Sequence, residues 1–206
     1  LPNPLPLNQA PVRTAIFRYD NRTISVKGNP RFLVFDRPEL DHFLAQKALA
    51  RSVELREDEA AREIEIGSSA VYVKTQRDTY LVKAVVGADG TLGLTQRVLR
   101  SLKPDSVHSH RMARAMETRI PVEEGQPHFT HQLANFDYNA LKENLQGYLW
   151  AFPTYVNGVP HLNCGIYDAR TSRSRPRAAL SRLLNDFLVA QGGDPSSLDI
   201  RAHPLH

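Results

Sequence analysis

The sequence predicts a mixed α/β (α+β) chain with two kinds of sheet, and three observations point there. A helical pattern opening at Pro38 leads through period-two runs into a strand that ends at Gly87-Ala88-Asp89-Gly90. Strand-like runs then follow one another from residue 111 to 167, the order of an antiparallel sheet. A strongly amphipathic helix occupies residues 176–190.

Taken in order, the Pro-rich start LPNPLPLNQAP reads as an extended connector. Residues 12–18 and 22–27 are β-type runs around a Tyr19-Asp20-Asn21 turn, which predicts a hairpin. Gly28-Asn29-Pro30 is expected to break the chain before the short apolar run 32–35. From Pro38 the residues Leu40, Phe43, Leu44, Ala48 and Arg51 share one helical face. Pro38 suits a first helical turn, where its missing N–H costs nothing, and Asp36, Glu39 and Asp41 place negative charge at the positive end of the dipole.

Residues 61–66 and 70–75 alternate around Gly67-Ser68-Ser69, a second hairpin. Residues 79–86 form a third run whose end, Ala84-Val85-Val86, is apolar enough to predict burial on both faces. Residues 92–102 suit a short helix. Residues 111–122, 129–134, 147–152 and 159–167 are expected to be strands. In the helix at 176–190, Leu180, Leu183, Leu184, Phe187 and Leu188 form the apolar stripe, and Gly192-Gly193 supplies the stop.

The bulk composition excludes several classes. The chain has 206 residues, 26 basic and 22 acidic, for a net charge of +4. That mild excess is spread along the chain, so no nucleic-acid partner is expected. The densest basic run, Arg170, Arg173, Arg175 and Arg177, reads as a solvated loop and helix start, with phosphate contact as the alternative. One cysteine, Cys164, rules out an intramolecular disulfide and fits a cytoplasmic setting. No run approaches the ~18 apolar residues of a membrane span, which leaves peripheral membrane contact open. The start at Leu1 and the end at Pro204-Leu205-His206 suggest an internal piece of a longer protein.

Three motifs carry chemical meaning. In Gly87-Ala88-Asp89-Gly90 the glycines let the backbone approach a ligand beyond a strand end, where open α/β sheets bind their ligands. Asp89 then either bonds a ribose or cofactor hydroxyl or caps the helix that follows. A plain Asp-Gly turn is the simpler alternative. Arg37 at a helix start suits phosphate oxygens, or equally an ion pair with Glu39 or Asp41. Tyr148, Trp150 and Phe152 recur with period two, so they share a sheet face that lines a pocket for a small apolar substrate or packs as core.

Together these motifs resemble the FAD-dependent oxidoreductases of the geranylgeranyl reductase and aromatic-hydroxylase (flavoprotein monooxygenase) superfamily. Arg37, Leu40, Asp41 and Leu44 match that family's Arg-x-x-(Phe/Leu)-Asp-x-x-Leu helix, and Gly87 to Gly90 match its Gly-Ala-Asp-Gly loop. Tyr148, Trp150, Phe152 and Pro153, then Asn163 and Gly165, match the Tyr-x-Trp-x-Phe-Pro and Asn-x-Gly strands of the reductase branch. Gly93 stands where the family carries Ser, and Thr95-Gln96 where it carries Val-Arg. No G-x-G-x-x-G follows an N-terminal strand; the family keeps it upstream of the matched region.

The resemblance implies part of a Rossmann-like FAD-binding domain joined to an antiparallel-sheet substrate domain of the aromatic-hydroxylase type. It implies a connector and substrate-domain hairpin at 1–30, FAD-domain residues at 31–110, a substrate-domain sheet at 111–172, and a helix returning toward the FAD domain at 173–206. FAD would be met by Arg37, Gly87, Asp89 and Gly90, and substrate by Tyr148, Trp150 and Phe152. The implied chemistry is reduction of an isoprenoid or similar apolar double bond, with electrons from NAD(P)H or another donor. A flavin-dependent monooxygenase or halogenase-like enzyme is the sibling alternative, and a non-catalytic α/β binding module the alternative of another class. The fragment alone is expected to be inactive. His108, His110, His128 and His131 lack zinc-site spacing and read as loop histidines, no metal is expected, and Cys164 reads as a small buried hydrophobe.

Overall fold

The structure is a computed structural model that describes residues 5–102, 112–172 and 174–205. His108, His110, Arg111 and Arg173 lie outside the described residues. The chain is mixed α/β and divides into two units, one of residues 1–46 with 111–205 and one of residues 47–110.

The larger unit is built on a seven-stranded sheet. Its strands are β1 (Gln9–Tyr19), β2 (Arg22–Phe35), β6 (Ala113–Pro121), β7 (Leu133–Asp137), β8 (Gly147–Val156), β9 (Val159–Asp168) and β10 (Arg201–Leu205), in the order β10-β6-β9-β8-β7-β1-β2. All neighbours are antiparallel except β1 and β7, which run parallel. The later strands pair antiparallel with one another in a sheet apart from the small one, and the N-terminal hairpin joins them through one parallel ladder between β1 and β7.

Alternation along β8 and β9 sorts their side chains to two faces. Leu149 and Ala151 of β8 and Leu162, Cys164 and Ile166 of β9 point to one face. There they meet Leu180, Leu183, Leu184 and Leu188 of helix α4 (Leu180–Ala190), with Ile120 and Leu145, in the hydrophobic core. Each such leucine removed from water contributes about 2 kcal/mol. The helix begins at Leu180 rather than at residue 176 and stops at Gly192, whose φ of +86° suits glycine. The tight turn between β8 and β9 is Asn157-Gly158, with φ of +51° and +77°, the left-handed pair that a two-residue hairpin requires.

Several expectations are corrected. Gly28-Asn29-Pro30 does not end the strand. Pairing resumes on both sides, at Val12 with Phe32 and Thr14 with Lys27, so residues 28–31 bulge out opposite the single residue Arg13. Residues 129–134 are not one strand, because Pro127 opens a helical turn, α3 (Pro127–Thr130), and β7 starts only at Leu133. Helix α1 (Arg37–Leu49) forms where expected, but no residue of it is buried, so its apolar stripe does not pack into a core among the described residues.

The smaller unit holds a three-stranded antiparallel sheet in the order β3-β4-β5, formed by β3 (Ala61–Ile66), β4 (Val71–Thr75) and β5 (Thr79–Val82), followed by helix α2 (Leu94–Leu102). Glu59 accepts hydrogen bonds from Tyr80 (2.8 Å) and Thr75 (2.7 Å), and these bonds hold its carboxyl below the usual range. The strand expected over 79–86 ends at Val82, and Val86 is 90% exposed. Its apolar end is not buried on two faces because no strand pairs with it among the described residues. No described residue of this unit is buried.

Candidate functional site

The loop after β5 is shaped by a reciprocal fit between two glycines and two polar side chains. Asp89 Oδ2 accepts the backbone N–H of Thr95 at 2.9 Å, and Asp89 Oδ1 accepts the Thr95 hydroxyl. Thr95 lies in the first turn of α2, so the carboxylate caps that helix and sits at the positive end of its dipole. The Thr95 bonds hold the Asp89 carboxyl below its ordinary value. A Cβ at Gly87 would stand 2.3 Å from Thr95 Oγ1, and one at Gly93 would stand 2.2 Å from Asp89 Cγ. Gly90 differs: its φ is +78°, and a Cβ there would meet no heavy atom within 4 Å. The loop is thus tied on one side and open along its backbone at Gly90. Of the two roles open to Asp89 in the sequence, the helix cap is the one its geometry displays.

Arg37 belongs to the larger unit. Its Nε donates to both oxygens of Asp41 at 3.1 Å across one helical turn, with the side chain 76% exposed. Nearby, Asp36 is buried and paired with Arg119 at 2.7 Å, while Glu39 accepts from Asn8 N–H at 3.2 Å.

Tyr148, Trp150 and Phe152 share the sheet face opposite the α4 core. They do not stand alone there. Phe136 packs against both Tyr148 and Phe152, with ring centroids 5.5 and 5.0 Å away, and stacks on Phe17 at 4.9 Å. Tyr167 and Tyr138 each lie within 5.6 Å of the Tyr148 ring, and Phe32 meets Phe152 at 5.9 Å. Apart from Trp150, which is 9% exposed, these rings are half-buried. Burial holds the Tyr148 hydroxyl above its usual value, so it stays a neutral phenol at physiological pH.

Two residues of β9 set the indole. Trp150 Nε1–H donates to Asn163 Oδ1 at 2.6 Å, and Asn163 Nδ2–H donates to Glu117 Oε2 at 3.4 Å. Glu117 in turn lies 3.5 Å from His203 Nε2. Gly165 pairs directly with Trp150, and a Cβ on it would fall 2.2 Å from Trp150 Cζ2. The Asn-x-Gly pair therefore supplies one hydrogen bond and one vacancy for the same ring. Sequence reading missed Phe17, Phe32, Phe136, Tyr138, Tyr167 and Glu117, since only strand order and register bring them to this face.

The histidines set aside divide. His131 is exposed, whereas His128 is buried within α3 and is not a loop residue. Among the described residues no three His, Cys, Asp or Glu side chains are grouped to hold a metal ion. Cys164 is fully buried, and desolvation pushes its thiol up to about 12.

Solved structures that match this chain include flavoproteins. The halogenase PltM matches with a TM-score of 0.67 over 97% of this chain and 44% of PltM, at 13% identity. The chain shares its fold with part of that halogenase. CmlS, another flavin-dependent halogenase, matches at 0.63 over 95% of this chain and 38% of its own, also at 13% identity. A flavoprotein/dehydrogenase from Cytophaga hutchinsonii matches at 0.59, with 12% identity, over 95% of this chain and 50% of its own. PltM has been solved with phloroglucinol and FAD bound. No family model matches the sequence. An uncharacterized protein of Methanosarcina barkeri (strain Fusaro) is 24% identical over 180 residues, 87% of this chain and 42% of that protein. The chain thus spans less than half the length of PltM, CmlS and this curated relative. No described helix is long and apolar enough to cross a membrane.

Proposed function

We propose that this chain forms the substrate sheet and part of the cofactor cradle of a FAD-dependent oxidoreductase. The observation that carries the reading is the organised aromatic face: seven half-buried or buried rings around a tryptophan positioned by Asn163 and Gly165, on a fold shared with flavin-dependent halogenases. Such a face offers a planar apolar wall with few polar atoms, which suits a small apolar or aromatic substrate.

One feature of the loop at Gly87–Gly90 supports a dinucleotide there. Gly90 leaves open backbone at φ +78°, where a ligand's phosphate or ribitol oxygens can approach, while Asp89 holds the loop by capping α2. As the resemblance implies, Gly87, Asp89 and Gly90 would contact FAD, and so would Arg37 once released from Asp41. FAD, when bound, would supply the redox chemistry, with NAD(P)H or another donor delivering electrons. The chain's own residues supply orientation and exclude water. None of the described residues of the smaller unit is buried, and this supports its belonging to a larger cofactor domain, because among those residues its sheet and amphipathic α2 share no core.

The structural neighbours favour a monooxygenase or halogenase-like reaction over double-bond reduction. The Tyr148, Trp150 and Phe152 strand, locked by Asn163 and Gly165, supports the second reading, a geranylgeranyl reductase-like enzyme acting on an isoprenoid. The test uses the protein at its full natural length. Visible flavin absorption and saturable FAD binding are expected. Oxygen-dependent turnover of arenes would support the first reading, and anaerobic saturation of a prenyl chain the second. A colourless protein that takes up no FAD would leave the chain a non-catalytic binding module.

A further inference from the structure

The register of the larger sheet sets Arg201, Glu117, Gly165, Trp150, Phe136 and Phe17 in one row across six strands. Side chains in one row share a face, so Glu117 and Arg201 extend the aromatic face toward β10. Gly165 stands between Glu117 and Trp150 in that row and carries no side chain. Asn163, two residues away along β9 and on the same face, supplies the link. Its Oδ1 accepts from Trp150 Nε1–H at 2.6 Å, and its Nδ2–H donates to Glu117 Oε2 at 3.4 Å.

The chemistry of the two ends gives this link one direction. An indole N–H only donates, and a carboxylate only accepts. The Asn163 amide serves both only with its carbonyl toward Trp150 and its NH2 toward Glu117. Turned over, it would set donor against donor at the indole and acceptor against acceptor at the carboxylate. The two arginines beside Glu117 are engaged elsewhere. Arg119 pairs with Asp36 at 2.7 Å, and Arg201 Nε donates to Asp199 Oδ2 at 2.9 Å. His203 Nε2 lies 3.5 Å from the other oxygen of Glu117, Oε1, which leaves Oε2 to Asn163.

We infer that Glu117 is a positioning residue for the candidate substrate face: its carboxylate fixes the Asn163 amide, and through it the Trp150 ring. That this face meets a substrate rests on the oxidoreductase reading; the link itself does not. With its N–H directed along the sheet to Asn163, the indole offers a ligand ring carbons and no donor. The wall at Trp150 therefore favours a hydrocarbon ring or chain over a carbonyl or carboxylate group, which would need a hydrogen bond there.

The nitrogen–proton correlation signal of the Trp150 indole in the full-length protein, assigned by its loss in Trp150→Phe, tests this. Glu117→Ala should speed solvent exchange of that N–H about 10-fold and move its proton signal upfield. Glu117→Gln keeps an acceptor for Asn163 and should recover the protection. In an Asn163→Ala background Glu117→Ala should add nothing, because the link is already cut. Backbone spectra that match the parent's identify the variants that fold. An unmoved indole signal in Glu117→Ala would overturn the inference. Additive effects in the double variant, or no recovery in Glu117→Gln, would overturn it as well. The readout needs neither flavin nor substrate, so a failed link would leave FAD binding intact, and a protein that takes up no FAD would leave the link intact.

Discussion

Replacing Gly165 by Ala tests the packing that holds the candidate substrate face together. The new methyl would lie 2.2 Å from Trp150 Cζ2, 2.5 Å from Cη2 and 2.6 Å from the Met116 carbonyl oxygen. The carbonyl belongs to the β6–β9 ladder and cannot retreat cheaply, so the indole must move. Forcing one methyl group into a packed site costs about 1–3 kcal/mol. Displacing the ring also breaks its bond to Asn163, worth about 1 kcal/mol. The sum is about 2–4 kcal/mol, a large share of the ~5–15 kcal/mol that stabilises a typical domain. Trp150 is the sole tryptophan, so its emission reports both the ring's environment and urea unfolding. A red-shifted emission and a lowered midpoint are expected. Asn163→Ala, which removes the hydrogen bond and adds no bulk, should cost about 1–3 kcal/mol without wedging the ring. If Gly165→Ala lost less than about 0.5 kcal/mol with unchanged emission, the range of a neutral surface change, the wedge argument would fail.

Three further outcomes follow from the same geometry. Asp89→Ala should fray the first turn of α2, seen as faster amide hydrogen exchange at Thr95, while Asp89→Asn should restore protection by keeping an acceptor; equal exchange in all three proteins would deny the cap. Cys164, with its thiol pushed up to about 12, should resist Ellman's reagent in the folded protein and react at once in urea, and labelling of native protein would show the strand to open. Burial, aided by the charge of Arg18, holds the His128 imidazole below its ordinary 6.5, so the unfolded chain takes up a proton there before the folded one does. Stability from this group is complete above about 6.5 and declines as pH falls below it, a slope in the urea midpoint that His128→Phe should flatten.

Local patterns were legible where one face of an element meets its own chain. The alternation in 61–66 and 70–75 became β3 and β4, and the leucine stripe of α4 became the core. The same logic failed at Ala84-Val85-Val86. A continuous apolar run signals burial on two faces only when strands and helices are there to cover it, and here Val86 is 90% exposed. The aromatic face was half legible. Tyr148, Trp150 and Phe152 declare a shared face by spacing, but Phe136 reaches it through the register of β7 on β8, and Phe17 through the parallel pairing of β1 with β7. Such pairings join residues far apart in sequence, and no local period encodes them.

Two of the departures from the resembled pattern, Gly93 and Thr95, meet at the same side chain, Asp89. Gly93 stands where a serine is expected and Thr95 where a valine is expected. Thr95 draws the Asp89 carboxylate into the space that a serine Cβ would occupy, 2.2 Å from Asp89 Cγ, and presses against Gly87, where no side chain would fit. A serine at 93 is compatible with this loop only if the Asp89 carboxylate shifts, so Gly93 and the Asp89–Thr95 bonds belong to one local arrangement.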